Sequence, residues 1–266
     1  MKKRSSLMQI RGEIRRSWYV GGITGTFAFA LALWSAASWG GWVQATFLPT
    51  PAQVLEQLGN QFVSAEFWHH VGISVFRVSM GFLLACVIGV PLGLLAGTFR
   101  FAESIVLPSS EFIRYMPATA FVPLIMVWAG IGEMAKILVI FLGCVFQIIL
   151  MTADNVRSVP GDLLQVSYTL GATRRQAIDH VLLRAVMPDL MNTMRMMIGW
   201  AWTYLIVAEL VAASSGLGFS ILKAQRFLNT DVIFVGIIVI GLLGLLTDRL
   251  FALCHKRFFP WLEGGR

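Results

Sequence analysis

Residues Pro160–Pro188 read PGDLLQVSYTLGATRRQAIDHVLLRAVMP. This is one of the few long polar stretches in a chain otherwise given to apolar runs, and its spacing predicts two short helices with a sharp joint. Pro160 suits a first helical position, where its missing N–H costs nothing. The first helix runs to about Leu170, and Gly171 supplies the left-handed residue that ends it. Thr173 and Gln176 stand in the T-x-x-Q relation of a capping box, so a second helix starts at Arg174. Arg174 and Arg175 leave the joint carrying positive charge. A helix–glycine–helix elbow between two apolar runs is a candidate docking surface for a soluble partner. A connector lying on lipid headgroups is the other reading, and spacing alone leaves both open.

Composition sets the surroundings. Hydrophobic residues make up 57% of the 266 and charged residues 13%, which is far from a soluble domain and points to a polytopic, all-α membrane protein. The length suits one membrane domain without a large soluble appendage. A net charge of +7 in a soluble protein would suggest nucleic acid. Here it falls in loops and tails beside apolar spans, so the expected macroscopic partner is membrane lipid and no nucleic acid. Cys86, Cys144 and Cys254 lie within or at the ends of apolar runs, with no metal or disulfide spacing, and read as small buried hydrophobes.

Working outward from the elbow gives about six membrane spans. The N-terminal arm is basic, with Lys2, Lys3, Arg4, Arg11, Arg15 and Arg16. An apolar run from Trp18 to Trp39 follows. S-A-A-S at Ser35–Ser38 has the look of a signal-peptidase site, but the run exceeds the usual core of about 7–15 residues and reads as an uncleaved first span. In the next loop Thr50-Pro51-Ala52-Gln53 is again a cap with proline at the first helical position. Val54, Leu55, Leu58 and Phe62 then mark one face of a short amphipathic helix. His69 and His70, with Glu66 nearby, are too few for a metal site and read as interfacial polar residues. A second span covers Ile73–Thr98. Gly81, Ala85, Gly89, Gly93 and Gly97 recur in it at every fourth position, a ridge of small residues that lets another helix come close. A helix at Ala102–Arg114 leads through Met116-Pro117 into a short third span, interrupted by Pro123 and ending near Ile131. The fourth span is Met134–Ala153. After the elbow come a fifth, Leu190–Ala212, and a sixth, Val232–Leu253, with Lys256 and Arg257 in a basic tail.

Charge then orients the chain. With the N-terminus inside, the arm, Arg100, Arg114, the elbow arginines and the tail all lie inside, and the outer loops keep Lys136, Lys223 and Arg226. That asymmetry places both termini in the cytoplasm. The expected organisation is a basic cytoplasmic arm at 1–17, a transmembrane domain at 18–254 with its elbow loop at about 154–187, and a cytoplasmic tail at 255–266. No G-x-x-x-x-G-K-[ST] occurs in the sequence, so the chain has no phosphate-binding loop of its own. The S-G-L-G-F run at Gly216 reads as a loop turn. No Ser–His–Asp set or carboxylate pair stands out, which argues against an intramembrane enzyme. The hydropathy shows no inverted repeat, which argues against a stand-alone secondary transporter. Work against a gradient would take its energy from a partner.

The elbow resembles the Glu-Ala-Ala loop of ABC importer permeases: E-A-A, three residues, Gly, nine residues, then I-x-L-P. Gln165, Val166 and Ser167 stand at the Glu-Ala-Ala positions and Gly171 at the glycine. Val181 and Leu183 match the apolar pair, Arg184 replaces the first proline, and Pro188 matches a second one common in one branch. Four further runs resemble the branch that carries taurine, sulfonates, nitrate and bicarbonate. They are F-L-P-T-P-A-Q-V, V-P-L-I-M-V-W-A-G-I-G-E-M-A-K-I, L-I-V-A-E-L-V-A-A-S-S-G-L-G and F-L-N-T-D-V at Phe227–Val232. The match is best to taurine and aliphatic sulfonate importers. The resemblance implies the MetI-like permease fold of a type I importer in a bacterial inner membrane, and a homodimer of permeases. It also implies two ATPase subunits below, which bind the ATP and Mg, and a substrate-binding protein above. By the same resemblance Gln165, Ser167, Gly171, Ala172, Thr173, Arg174, Arg175 and Gln176 couple to the ATPase.

Charged residues within spans commonly face a pathway or a partner charge. By chain position Arg77 and Glu209 both sit toward the outer leaflet, and Arg195 and Asp248 toward the inner one. Arg195 and Glu209 are roughly 21 Å apart along one helix and cannot pair. Two salt bridges that fix helix packing are one reading. An anion route lined by Arg77 is the other.

Overall fold

The computed structural model describes residues 16–44, 46–210 and 213–262, and among these every regular element is helical. They fall into two compact units. One holds the described residues up to Val63 with Ala224–Val235; the other holds Ser64–Lys223 with the described residues from Gly236 on. Apart from Arg16 and Ser17, the expected basic arm lies outside the described residues, as does the expected end of the fifth span at Ala212.

In the first unit, α1 (Arg16–Trp39) has no buried residue. A helix apolar all round suits a membrane span. Near its end the Trp34 indole N–H donates to the Pro49 carbonyl at 3.0 Å, and the ring stacks on Phe234 at 5.2 Å. Helix α2 (Pro51–Val63) begins on proline as expected. Thr50 N–H donates to Gln53 Oε1 at 2.9 Å and Gln53 N–H to Thr50 Oγ1 at 3.3 Å, a reciprocal cap. Of the apolar face expected on α2, Val54 is buried, while Leu55 and Phe62 are exposed.

The second unit is built on α3 (Ala65–Thr98), which starts eight residues before the expected span and continues through Pro91. Then follow α4 (Arg100–Arg114), α5 (Ala118–Ala129) and α6 (Glu133–Arg157). After the elbow, with α7 (Gly161–Thr169) and α8 (Arg174–Gln176), a π-helical stretch at Ala177–Leu182 leads into α9 (Leu183–Leu210). Helices α10 (Leu217–Arg226) and α11 (Thr230–Phe258) each cross a boundary between the units.

The small-residue ridge of α3 lies on α6. A Cβ at Gly81 would meet Ile140 at 2.7 Å, at Gly89 Ile148 at 2.9 Å, at Gly93 Thr152 at 2.6 Å, and at Gly97 Val156 at 2.6 Å. Positions rise together on both helices, so α3 and α6 run parallel. The facing residues of α6 also recur every fourth position, so the two i±4 rows interdigitate. Helix α9 runs antiparallel along another face of α6. There a Cβ at Gly143 would meet the Tyr204 ring at 2.5 Å, and Asn155 Nδ2 donates to Thr193 Oγ1 at 2.8 Å. The core between them includes the fully buried Ala85, Ile140, Cys144, Ile148, Ala201 and Leu205.

The expected third span and the helix before it form a bent pair. Helices α4 and α5 meet at a 100° bend. Helix α5 has 12 residues, about 18 Å at helical rise, too short to cross a hydrocarbon core of about 30 Å. Pro117 caps α5, which explains the break, while Pro123 lies inside α5 without interrupting it. By length and composition four helices among the described residues can cross a membrane, or five if the bent pair counts as one. Helix α9 is long enough at 28 residues but carries Asn192, Thr193, Arg195 and Glu209, and so falls short of that apolar set. Arg114, counted above with the inner-loop cations, stands at the bend, on the wall of a cavity shared with Gln147 in the middle of α6.

Candidate functional site

The elbow forms from its own sequence. Pro160 is the residue before α7 rather than its first residue, a shift of one that still uses its fixed φ. Gly171 N–H donates to the Tyr168 carbonyl at 2.9 Å and Ala172 N–H to the Ser167 carbonyl at 3.0 Å, with Gly171 at φ +86°. This is a Schellman ending, which requires a left-handed residue where glycine stands. Thr173 N–H donates to Gln176 Oε1 at 2.9 Å and Gln176 N–H to Thr173 Oγ1 at 3.4 Å, and α8 begins at Arg174. The second elbow helix does not stop before the fifth span. It passes through the π turn, where Leu183 N–H reaches back to the Ile178 carbonyl, straight into α9 and through Pro188. Leu182 and Val186, one turn apart, both bury against Val156.

The elbow presents a mixed surface. Ser167 is buried, with its hydroxyl donating to the Leu164 carbonyl at 2.7 Å, while Gln165, Thr173, Arg174, Arg175, Gln176 and Arg184 are exposed. Ala172 is half-buried. The Arg174 guanidinium lies 4.9 Å over the Phe99 ring, between α3 and α4, and Arg175 stands 3.5 Å from Asp179. Leu163, Val166 and Tyr168 of α7 and Leu170 at its C-cap are exposed as well, an apolar patch beside a basic one.

At the opposite end of the second unit the structure brings Arg77 and Glu209 together, both fully buried, at 2.6 Å. A second carboxylate that the sequence reading passed over completes the node. Arg77 Nε donates to Glu133 Oε2 at 2.6 Å and Nη2 to Glu133 Oε1 at 2.7 Å. Nη1 also donates to the Ser215 carbonyl at 2.7 Å and Nη2 to Ser215 Oγ at 3.2 Å. These bonds use all five guanidinium donors, so in this conformation Arg77 offers none to a passing anion. Lys136 Nζ donates to Glu133 Oε1 at 2.8 Å, which leaves two cations facing two carboxylates.

The S-G-L-G run, read as a turn, is the clamp on this node. Gly218 N–H donates to Glu209 Oε2 at 2.7 Å, Leu217 N–H to Ser74 Oγ at 2.8 Å, and Gly216 N–H to His70 Nδ1 at 3.0 Å. Ser74 in turn donates to Glu209 Oε1 at 2.7 Å. The Glu209 carboxylate therefore sits at the N-terminus of α10, where free N–H groups and the helix dipole favour negative charge. Gly216, at φ +113°, and Gly218 have no room for a Cβ beside Glu209. His70 is thus a buried acceptor rather than an interfacial residue, whereas His69 is exposed. Toward the other end Arg195 donates to Asp248 through Nε at 2.6 Å and Nη2 at 2.7 Å, a bidentate pair that is about one-third exposed.

Between the two ends lies a cavity of about 760 Å³, walled by the α4–α5 bend, α6 and α9. Its lining is mostly aromatic and methionine, with Arg114 as its charged residue and Gln147 and Tyr204 among its polar ones. No sequence signal marked it, because its residues come from four helices and share no spacing.

Comparison with known proteins agrees with this architecture. Residues 89–260 match the family described as binding-protein-dependent transport system inner membrane component. The putative aliphatic sulfonates transport permease protein SsuC of Bacillus subtilis is 36% identical over 234 residues, covering 88% of this chain and 85% of the relative. The taurine transport system permease protein TauC of Escherichia coli is 34% identical over 242 residues, 89% and 88% of the two chains. The nitrate import permease protein NrtB of Synechocystis is 31% identical over 222 residues, 80% and 81%. A chain of the inward-facing MetNI methionine ABC transporter has a TM-score of 0.56 at 22% identity, covering 69% of this chain and 94% of that one, a likeness of fold. The chain is a multi-pass protein of the inner membrane and belongs to the family of binding-protein-dependent transport system inner membrane components.

Proposed function

We propose that this permease moves taurine or a related aliphatic sulfonate from a periplasmic binding protein into the cytoplasm by alternating access, driven by ATP hydrolysed in a partner. The observation that carries the substrate is the 34–36% identity to sulfonate and taurine permeases over nearly nine-tenths of the chain. In this reading both termini are cytoplasmic, and two copies of the chain pair in the membrane. Two ATPase subunits, which hold the ATP and Mg, dock on the elbow. The exposed Leu163, Val166 and Leu170 beside Arg174 and Arg175 support that docking role, because an apolar patch rimmed by charge marks an interaction site. Gln165, Gly171, Ala172, Thr173 and Gln176 fix the elbow's shape, and Ser167 anchors it from inside. The test is uptake of labelled taurine, ethanesulfonate and nitrate into proteoliposomes holding the permease with its ATPase and binding protein. ATP-dependent accumulation of a sulfonate is expected. Accumulation of nitrate alone would move the chain to that neighbouring specificity, and uptake without the ATPase would refute the coupling.

A further inference from the structure

From the cavity at the α4–α5 bend we infer a sulfonate site within the permease itself, with Arg114 as the residue that receives the anionic head. The inference rests on the sulfonate reading above and adds the place where the membrane subunit holds its substrate. Three observations carry it. The cavity, at about 760 Å³, falls in the size range of small-molecule sites, about 300–1,000 Å³. Its walls are largely aromatic and apolar, including Phe146, Trp128 and Trp200, which suits an alkyl chain. Arg114 is the one charged residue among those lining it, so nothing of opposite sign in the lining competes for that guanidinium.

Arg114 is exposed on the cavity wall, and it differs in its pairing from Arg77 and Arg195, which are buried and half-buried. Arg77 and Arg195 each grip a carboxylate with two parallel hydrogen bonds. Arg114 donates through Nη2 to the Tyr115 hydroxyl at 3.1 Å, lies 4.8 Å from the centroid of that ring, and makes no ion pair among the described residues. A guanidinium has five N–H donors, and the others remain for a ligand oxygen. Gln147 on α6 and Tyr204 on α9 line the same cavity. An amide, a phenol and a guanidinium converging on an otherwise apolar space suit a tetrahedral monoanion with a hydrocarbon tail. A single cation also suits transit, since a conducted ion must bind without being trapped.

The experiment titrates ethanesulfonate into the full-length permease in nanodiscs, following intrinsic tryptophan fluorescence and equilibrium dialysis of the labelled ligand. It compares wild type, Arg114→Gln and Arg114→Lys, with uptake by the assembled transporter measured on the same three. Saturable binding by wild type is expected, with affinity lowered about tenfold or more in Arg114→Gln, as for loss of a charge-assisted hydrogen bond, and an intermediate value in Arg114→Lys. Uptake should follow the same order. Wild-type and Arg114→Gln proteins that bind and transport alike would overturn the site while leaving the sulfonate function standing. Transport of sulfonate by the wild-type assembly with no binding to the permease, as when a second copy fills the cavity, would do the same. An assembly that carries no sulfonate would refute the functional reading and the site with it. Should Arg114→Gln fold poorly, Gln147→Leu on the facing wall serves in its place, with weaker binding expected and unchanged binding counting against the site.

Discussion

Removing Arg77 should damage the protein more than removing either of its carboxylates, and the order of the three losses follows from who is left behind. In Arg77→Gln the Glu209 carboxylate, fully buried, keeps Ser74 and Gly218 as neutral donors but loses the only cation that touches it among the described residues. Orphaning one member of a buried pair costs about 3–5 kcal/mol. In Glu209→Gln the guanidinium still holds Glu133 through two bonds of 2.6 and 2.7 Å. The loss is then the charge on the Arg77 bond and one acceptor, since the amide nitrogen cannot accept the Gly218 N–H as Oε2 does, about 1.5–3 kcal/mol. Glu133 is about half exposed, and its replacement by Gln leaves Arg77 paired with Glu209, so the cost falls to about 1 kcal/mol or less. The double variant Arg77→Gln/Glu209→Gln removes the orphaned carboxylate and should be more stable than Arg77→Gln alone, a coupling of at least about 1 kcal/mol. Reversible unfolding of the full chain in mixed micelles measures all four. If Glu209→Gln costs as much as Arg77→Gln, or if the double variant shows no coupling, Arg77 is not the centre of the node.

Three further outcomes are expected. Gly93→Leu should abolish or sharply reduce folded yield, because a Cβ there already meets the Ile149 carbonyl and Thr152 at 2.6 Å and overpacking costs about 1–3 kcal/mol before any longer side chain is added; Gly72→Ala, with nothing within 4 Å, should melt like wild type. Gly171→Pro and Arg174→Glu should weaken retention of the ATPase in pull-downs while inserting normally, since Gly171 closes α7 at φ +86° and Arg174 is exposed on the first turn after it; retention equal to wild type in both would remove the elbow as the dock. Asp248→Asn should cost no more than about 1 kcal/mol, because its pair with Arg195 is about one-third exposed and surface pairs are worth little; thermal melting of the variant measures it.

Local chemistry made the elbow legible. Caps and C-terminal glycines act within a few residues, so Thr50 with Gln53, Thr173 with Gln176, and Gly171 could be read from spacing and recur in the structure. The π turn at Ala177–Leu182 could not, because its residues are ordinary helix formers. The glycine ridge of α3 was visible as a row, yet its partner was hidden: α6 is apolar on every side, so Ile140, Ile148 and Val156 do not stand out from their neighbours. Equal depth sufficed to bring Arg77 toward Glu209. Glu133 escaped because it lies one residue before the expected fourth span, and the backbone donors of Gly216, Leu217 and Gly218 carry no side-chain signal. The 100° bend was half legible. Pro117 announced a break but not its angle.

The zipper of α3 on α6 has a mechanical consequence. Along four turns the helices touch with no compressible layer of long side chains between them, Gly93 and Gly97 lying against the carbonyls of Ile149 and Ala153. Sliding one helix past the other by a fraction of a turn would drive Cα hydrogens of one into β-branched side chains of the other, so the pair cannot shear. It behaves as a laminated beam whose stiffness exceeds that of two separate rods. Any stroke that passes from the elbow to the node at the far end must then rotate this beam as a whole. The compliance must lie elsewhere, at the Tyr115–Pro117 knee and in the π turn below α9, where an extra residue stores a register that a helix can gain or lose.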